Sequence, residues 1–189
     1  MKKLNKNILL NESETLSIPN KIKSEGIVYE DGYKKIEKIT AKFDDFNKEY
    51  FVSDFGEKSA LLASCNDHIL LTRQYRLLIN DLSYEIPGGK VNNDEVAEEA
   101  AIRECYEETG LLFSNLEPLI TYDPDLEYTK NRTHVFFVND SRNIYNRNSK
   151  KYEWLPYKKC IEMINKRVIM DSLSIIAILA FSLKAKIKT

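Results

Sequence analysis

Between Asp94 and Thr109 the chain carries seven acidic residues and one basic residue, Arg103. So charged a segment holds a fold only if it keeps an apolar face for a partner. Ala97, Ala101 and Cys105 fall at i, i+4 and i+8, with Val96 and Ala100 beside them. The spacing predicts a helix over Glu95–Thr109 whose buried face is narrow and built of small side chains, able to lie close against a sheet. Asn93 and Asp94 stand where N-caps belong, and Gly110 stands where a helix ends in the left-handed conformation.

Strand-like runs surround this helix. Gly26–Glu30 and Tyr33–Phe43 flank Asp31-Gly32, a hairpin signal. Glu49–Asp54, Ser59–Ala63 and His68–Tyr75 continue the pattern, with Asn66-Asp67 as a turn, and predict an antiparallel meander over residues 24–76. Thr133–Val138 and Tyr152–Leu155 read as further strands. Lys158–Arg167 and Ser172–Ala185 read as two closing helices, the second capped by Asp171 or Ser172. Met1–Lys23, rich in Asn, Lys, Glu and Ser, reads as a loose arm. The expected organisation is an arm (1–23), a strand-rich N-terminal subdomain (24–63) and a main α/β domain (64–189).

Composition excludes several classes. At 43% hydrophobic and 30% charged residues, the chain of 189 residues is an ordinary globular one. A net charge of -1 argues against bulk polycation binding to nucleic acid. Cys65, Cys105 and Cys160 are scattered and form no CxxC, which fits a reducing cytoplasm better than a disulfide framework or a zinc site. No secretory signal is visible, and the longest apolar run, Leu173–Leu183, is shorter than the ~20 residues a bilayer requires. From Arg142 onward eleven basic residues face three acidic ones. Without interleaved aromatics, that stretch is expected to balance the acidic helix rather than bind RNA.

Glu104, Glu107 and Glu108 project from nearly one face of the predicted helix. Like charges at that spacing cost a few tenths of a kcal/mol per pair. They leave two readings open: a solvated Glu-rich face, or carboxylates converging on a hard cation such as Mg²⁺ or Mn²⁺. Gly89, Glu95, Arg103, Glu104, Glu107, Glu108 and Gly110, with Leu111 after them, match the Nudix box at every fixed charged and glycine position. Cys105 stands where that pattern usually has Leu, Ile or Val, and as a small buried hydrophobe it can keep the packing role. Leu70-Leu71-Thr72-Arg73-Gln74-Tyr75-Arg76, then Glu85-Ile86-Pro87-Gly88-Gly89-Lys90, resembles the ADP-ribose/ADP-sugar pyrophosphatase branch of the Nudix hydrolases.

This resemblance implies an α/β/α sandwich around a mixed sheet, with the strand-rich part as an N-terminal extension. It implies Mg²⁺, with Mn²⁺ as a possible substitute, held by Glu104 and Glu108 with Glu107 joining and the Gly88 carbonyl nearby. Arg103 and Glu95 would orient the glutamates. Arg76 would contact phosphate, with Arg73 as a second arginine open to a surface-pair role. Glu85 would serve the substrate or metal side, the other reading being a salt bridge to Arg76. Tyr50 or Phe51 would stack on adenine, the other reading being core packing. His68 and His134 read as structural. The implied activity is hydrolysis of ADP-ribose or an ADP-sugar to AMP and a sugar phosphate, by a homodimer. Alternatives are another nucleotide sugar or a nucleoside triphosphate as substrate, or a non-catalytic ADP-ribose sensor or RNA-binding Nudix protein. Two departures stand out: Asn139–Lys151 lacks the glutamate that the branch places in a mobile loop, and the turn before the strand is Tyr122-Asp123-Pro124-Asp125.

Overall fold

The computed structural model describes residues 18–140 and 149–187. The chain divides into two compact units, one ending at Asp54 and the other beginning at Phe55. The boundary expected between 63 and 64 is therefore corrected, and the antiparallel meander expected over 24–76 stops at Asp54. The reason lies in the run Lys58–Cys65, every residue of which after Lys58 is buried. Such a continuously buried strand belongs in the middle of a sheet covered on both faces. The arm expected over 1–23 lies mostly outside the described residues.

In the first unit, β1 (Lys21–Glu30) pairs antiparallel with β2 (Lys35–Lys42), and β2 with β3 (Asn47–Asp54). Asp31 closes the first turn as the sequence suggests, its carboxylate accepting the Tyr33 and Lys34 N–H groups at 2.7 and 2.8 Å. Gly26, at φ +110°, sits at a register shift in β1, where a bulge needs a conformation that residues with a Cβ rarely adopt.

The second unit is a seven-stranded mixed sheet between helices. Its strands are β4 (Lys58–Cys65), β5 (His68–Arg76), β6 (Asp81–Glu85), β7 (Gly88–Lys90), β8 (Glu117–Tyr122), β10 (Thr133–Asn139) and β11 (Tyr152–Pro156), while β9 (Thr129–Lys130) is a two-residue strand before β10. The main order is β11-β5-β4-β10-β8, with β6 on β5 and β7 on β4. Only the central β4–β10 pair is parallel. Asn66 and Asp67 both have positive φ, 47° and 59°, as a two-residue turn between β4 and β5 requires.

Alternate residues of β4 feed two cores. Ala60 and Leu62 join Cys160 and Met163 of α2 (Tyr157–Asn165) and Ala177 and Ile178 of α3 (Ser172–Ile187). Leu61, Ala63 and Cys65 join Ala101 and Cys105 of α1 (Ala97–Thr109). Each fully buried leucine contributes ~1.5–3 kcal/mol, so this strand anchors both layers. The result is the expected α/β/α sandwich.

Helix α1 begins at Ala97, with Val96 as an N-cap that makes no side-chain cap bond, and not at Asn93 or Asp94. Residues 92–95 instead form a turn in which the Asn92 N–H donates to the Glu95 carboxylate and the Glu95 N–H to the Asn92 carbonyl. The helix ends at Gly110 in the left-handed conformation (φ +74°), as the sequence implies. Strands β6 and β7 escape a pattern reading. The inward positions of β6 are Ser83 and Glu85, both polar, and β7 is Gly-Gly-Lys.

Candidate active site

Three elements of the second unit meet beside β4: the ends of β5 and β6, the Pro87-Gly88-Gly89 stretch opening β7, and one face of α1. The small face of α1 makes this possible, because Ala101 and Cys105 are fully buried and hold the helix close to the sheet. At Gly89 a Cβ would collide with the Glu104 carboxyl, so glycine there makes room for the glutamate. At Gly88 a Cβ would strike the Ala60 side chain and the Ser59 carbonyl oxygen, so that glycine is a packing requirement between β7 and β4.

Arg103 organises the carboxylates. Its Nε and Nη2 donate to the two oxygens of Glu95, each at 2.8 Å, Nη2 also to the Lys90 carbonyl at 3.0 Å, and Nη1 to Glu104 at 2.7 Å. Glu107 approaches the same guanidinium at 3.5 Å, and its side chain is the most exposed of the group. The hydrogen bond from Arg103 holds Glu95 below the usual carboxylate range, and Arg103 itself is held firmly protonated.

Glu108 differs. Gln74 donates its side-chain amide to Oε1, while Oε2 is buried without any partner. Burial, with the nearby charges of Glu104 and Glu85, pushes its carboxyl up to about 7 against the opposing Gln74 hydrogen bond and the nearby Gly88 N–H dipole. A buried acceptor without a donor, beside a second carboxylate, is an arrangement that a hard cation would relieve. Glu104 and Glu108 thus fit a divalent cation. Among the described residues no three carboxylate, imidazole or thiol groups converge on one point, since the Arg103 guanidinium engages Glu104 and Glu107.

Next to Glu108 opens a cleft lined by Lys58, Arg76, Glu85, Gly88, Tyr122, Asn131, Thr133 and Asp171, among others. Arg76 is bidentate on Glu85, with Nε 2.7 Å from Oε1 and Nη2 bonded to Oε2. This is the salt bridge that the sequence left open for Glu85. It leaves half of the Arg76 side chain exposed while the Glu85 carboxylate is 7% exposed. Arg73 shows the surface pairing: it ion-pairs with Glu153, donates to the Tyr84 hydroxyl at 2.6 Å and stacks 4.9 Å over that ring. It is not among the residues lining the cleft.

Tyr50 and Phe51 lie on β3 of the first unit. Lys48 sits 4.5 Å over the Tyr50 ring, and Phe51 is exposed. His68 bonds the Asn66 carbonyl, and His134 lies between Glu57 and Thr121, so both have local partners. The loop expected to supply a general base falls largely on residues 141–148, outside the described residues. Sequence reasoning assigned no role to Gln74, Lys58, Asn131 or Ser174. Gln74 had a signal, since it stands inside the Arg-Gln-Tyr-Arg run. Ser174 accepts the buried Ile86 N–H at 2.9 Å and donates to Asp171 at 2.7 Å, tying the start of α3 to the residue that follows Glu85.

Comparisons with known proteins agree with this geometry. A model of the NUDIX domain family matches residues 58–171, more than half of the chain. The chain is 23% identical over 137 residues to CMP-5'-(N-acetyl-N-hydroxy-3-aminopropyl)phosphonate hydrolase of Streptomyces rubellomurinus, covering 70% of this chain and 66% of that protein. It is 55% identical over 42 residues to the putative 8-oxo-dGTP diphosphatase YtkD of Bacillus subtilis, covering 22% of this chain and 27% of that protein. It is 46% identical over 43 residues to putative nudix hydrolase 2 of Caenorhabditis elegans, covering 23% of this chain and 19% of that protein. The chain thus spans just under two thirds of the first of these relatives and about a quarter or less of the other two. A crystal structure of an ADP compounds hydrolase shares the fold, with a TM-score of 0.72 at 15% identity, covering 94% of this chain and 98% of that one. With Arg103, Glu104, Glu107 and Glu108 gathered on α1 and the family match running from β4 through α2 to the residue before α3, the chain belongs to the NUDIX family.

Proposed function

We propose that this protein is a Mg²⁺-dependent pyrophosphohydrolase that splits a nucleoside diphosphate linked to a second moiety, with ADP-ribose or an ADP-sugar as substrate and AMP plus a sugar phosphate as products. The observation that carries the reading is Glu108: a buried carboxylate with one oxygen tethered by Gln74 and the other without a partner, beside Glu104 and next to a cleft containing an arginine. Glu104 and Glu108 would hold the cation, with Glu107 and the Gly88 carbonyl as further ligands. A divalent cation, when bound, supplies Lewis-acid polarisation of a phosphoryl oxygen and a lowered pKa for a water molecule.

The chain's own residues do the rest. Arg103, locked to Glu95 and the Lys90 carbonyl, keeps Glu104 in one orientation. Arg76 presents its exposed half to a phosphate while Glu85 fixes its plane. The names of two similar proteins each carry a nucleotide, CMP in one and ADP in the other, and support a nucleotide-derived substrate without agreeing on its base. Mn²⁺ is the expected substitute metal.

A substrate panel with product analysis tests the reading. ADP-ribose, ADP-sugars, other nucleotide sugars and nucleoside triphosphates are incubated with Mg²⁺. AMP and sugar phosphate from the ADP compounds are the expected products. Turnover of triphosphates alone would overturn the substrate assignment, and no turnover of any diphosphate with Mg²⁺ or Mn²⁺ would overturn the activity.

A further inference from the structure

Strand β5 turns alternate side chains to opposite faces of the sheet. Leu70 packs in the core shared with α1, and the same parity carries Gln74 to Glu108 and Arg76 to Glu85. Arg73 and Tyr75 take the other face, where they bond Tyr84 and Asn80. Gln74 is half-buried, and among the described residues its side-chain amide bonds Glu108 alone.

The two carboxylates of the candidate cation site are thus held in the same way. Arg103 donates to Oε1 of Glu104 at 2.7 Å, and Gln74 donates to Oε1 of Glu108. A carboxylate that clasps an ion with both oxygens must turn them equally towards it. Each tether instead holds one oxygen towards its donor and favours ligation through the other. The difference bears on the choice of ion. Ca²⁺ takes about six to eight oxygens at ~2.3–2.6 Å, and carboxylates often serve it with both oxygens. Mg²⁺ requires a near-octahedral shell at ~2.0–2.1 Å and keeps several waters beside one or two carboxylates. The Arg103 tether cannot be varied by itself, because the same guanidinium holds Glu95 and the Lys90 carbonyl. The Gln74 tether can.

We propose that Gln74 is the positioning residue that makes this site choose Mg²⁺ and Mn²⁺ over Ca²⁺, by restricting Glu108 to ligation through a single oxygen. The proposal rests on the reading of Glu104 and Glu108 as the cation pair and adds which residue sets the choice of ion. Gln74 acts through Glu108 and touches neither cation nor substrate.

Metal binding to the whole protein, without substrate or turnover, tests this. Bound Mn²⁺ is read by electron paramagnetic resonance and competed with Mg²⁺ or Ca²⁺. In the wild-type protein Mg²⁺ should displace Mn²⁺ at lower concentration than Ca²⁺ does. Gln74→Met keeps the side-chain length and removes the donor, and it should move the ratio of Ca²⁺ to Mg²⁺ affinity at least ~10-fold towards Ca²⁺, the scale seen when a partner of a metal ligand is lost. Gln74→Ala should move it the same way, which separates the missing donor from any misfit of methionine. A merely structural role would change Tm, or all three affinities together, and leave the ratio alone. An unmoved ratio in both variants, or equal tightening of all three ions, overturns the proposal. Glu108→Gln separates the two levels of the argument. Mn²⁺ binding that Glu108→Gln weakens, with the ratio unmoved by Gln74→Met, sinks the proposal and leaves the cation pair. Mn²⁺ binding that is absent, or indifferent to Glu108→Gln, sinks the cation pair and the proposal with it.

Discussion

Glu108 is where burial and charge conflict most in this molecule. Its carboxyl is pushed up to about 7 by burial, while the ordinary value of 4.5 holds in the unfolded chain. In metal-free protein the native state therefore binds the Glu108 proton more tightly than the unfolded state does. This favours the fold below the unfolded value, and the advantage is lost as pH rises through about 7. Melting in the presence of a chelator should show a Tm that declines from about pH 4.5 to about 7 and levels off above it, and Glu108→Gln should flatten that decline. The same substitution removes an anionic ligand without removing bulk. It should lower turnover by at least ~100-fold while the fold persists, the loss expected when a bound water is no longer activated. Near-normal turnover at saturating Mg²⁺ would remove Glu108 from the metal site. Arg76 has two duties in this reading, since it neutralises the Glu85 carboxylate and presents its exposed half to the cleft. Arg76→Ala should cost ~1–3 kcal/mol of stability by stranding Glu85. It should also raise KM about tenfold, consistent with losing a charge-assisted phosphate contact. Glu85→Gln is the control: a KM rise of equal size there would show that Arg76 acts through Glu85 alone.

Among the elements, the approach of β7 to both β4 and α1 decides the geometry of the site. Gly88 and Gly89 are adjacent and spared a side chain for different reasons. At Gly88 the obstacle is the Ser59 and Ala60 backbone, which cannot move without opening the sheet. At Gly89 it is only the carboxyl end of Glu104, which can swing away. Gly88→Ala should therefore lower Tm by several degrees. Gly89→Ala should leave Tm nearly unchanged and strongly reduce turnover and Mg²⁺ affinity, because it evicts a metal-ligating carboxylate. Thermal melts and metal titrations of the two variants, read side by side, check this; equal loss of Tm in both would refute it. The sequence signalled this element pair unevenly. The small face of α1 and the Gly110 terminator were legible from spacing alone. Strand β7 was not, because Gly-Gly-Lys carries no alternation, and the start of α1 moved to Ala97 because Glu95 bonds Asn92 and Arg103.

For the whole molecule, the open question is assembly. Strand β1 is exposed along its length, and Ile22, Ile27, Val28 and Tyr29 are 47–66% exposed. Apolar side chains concentrated on one exposed strand are a common mark of an interface. The protein is expected to be a homodimer, and light scattering at micromolar concentration should give twice the chain mass of 22.0 kDa. A mass of 22.0 kDa would remove the dimer. A role for Tyr50 and Phe51 in base stacking remains a proposal, for which Tyr50→Ala and Phe51→Ala should raise KM with kcat little changed. Among the described residues no helix is long and apolar enough to cross a membrane, consistent with the shortness of the Leu173–Leu183 run.

The sequence by itself determined the chemistry-bearing helix, because its signals are local: charge spacing, small residues four apart, and a glycine that tolerates positive φ. It likewise determined the two turns, at Asp31 through a short carboxylate that accepts the following N–H groups and at Asn66-Asp67 through residue types that tolerate left-handed backbone. The tertiary structure decided what those signals meant in space. The parallel pairing of β4 with β10 joins residues far apart in the chain, and no periodicity within either strand specifies its neighbour. That pairing brings Lys58 opposite Thr133 and so near Asn131, while the pairing of β7 with β4 and the packing of α1 bring Gly88 and Gln74 against Glu108. Burial, and with it the elevated proton affinity of Glu108 and the unsatisfied Asn131 oxygen, depends on which surfaces meet across the fold, and it exists only once they have met.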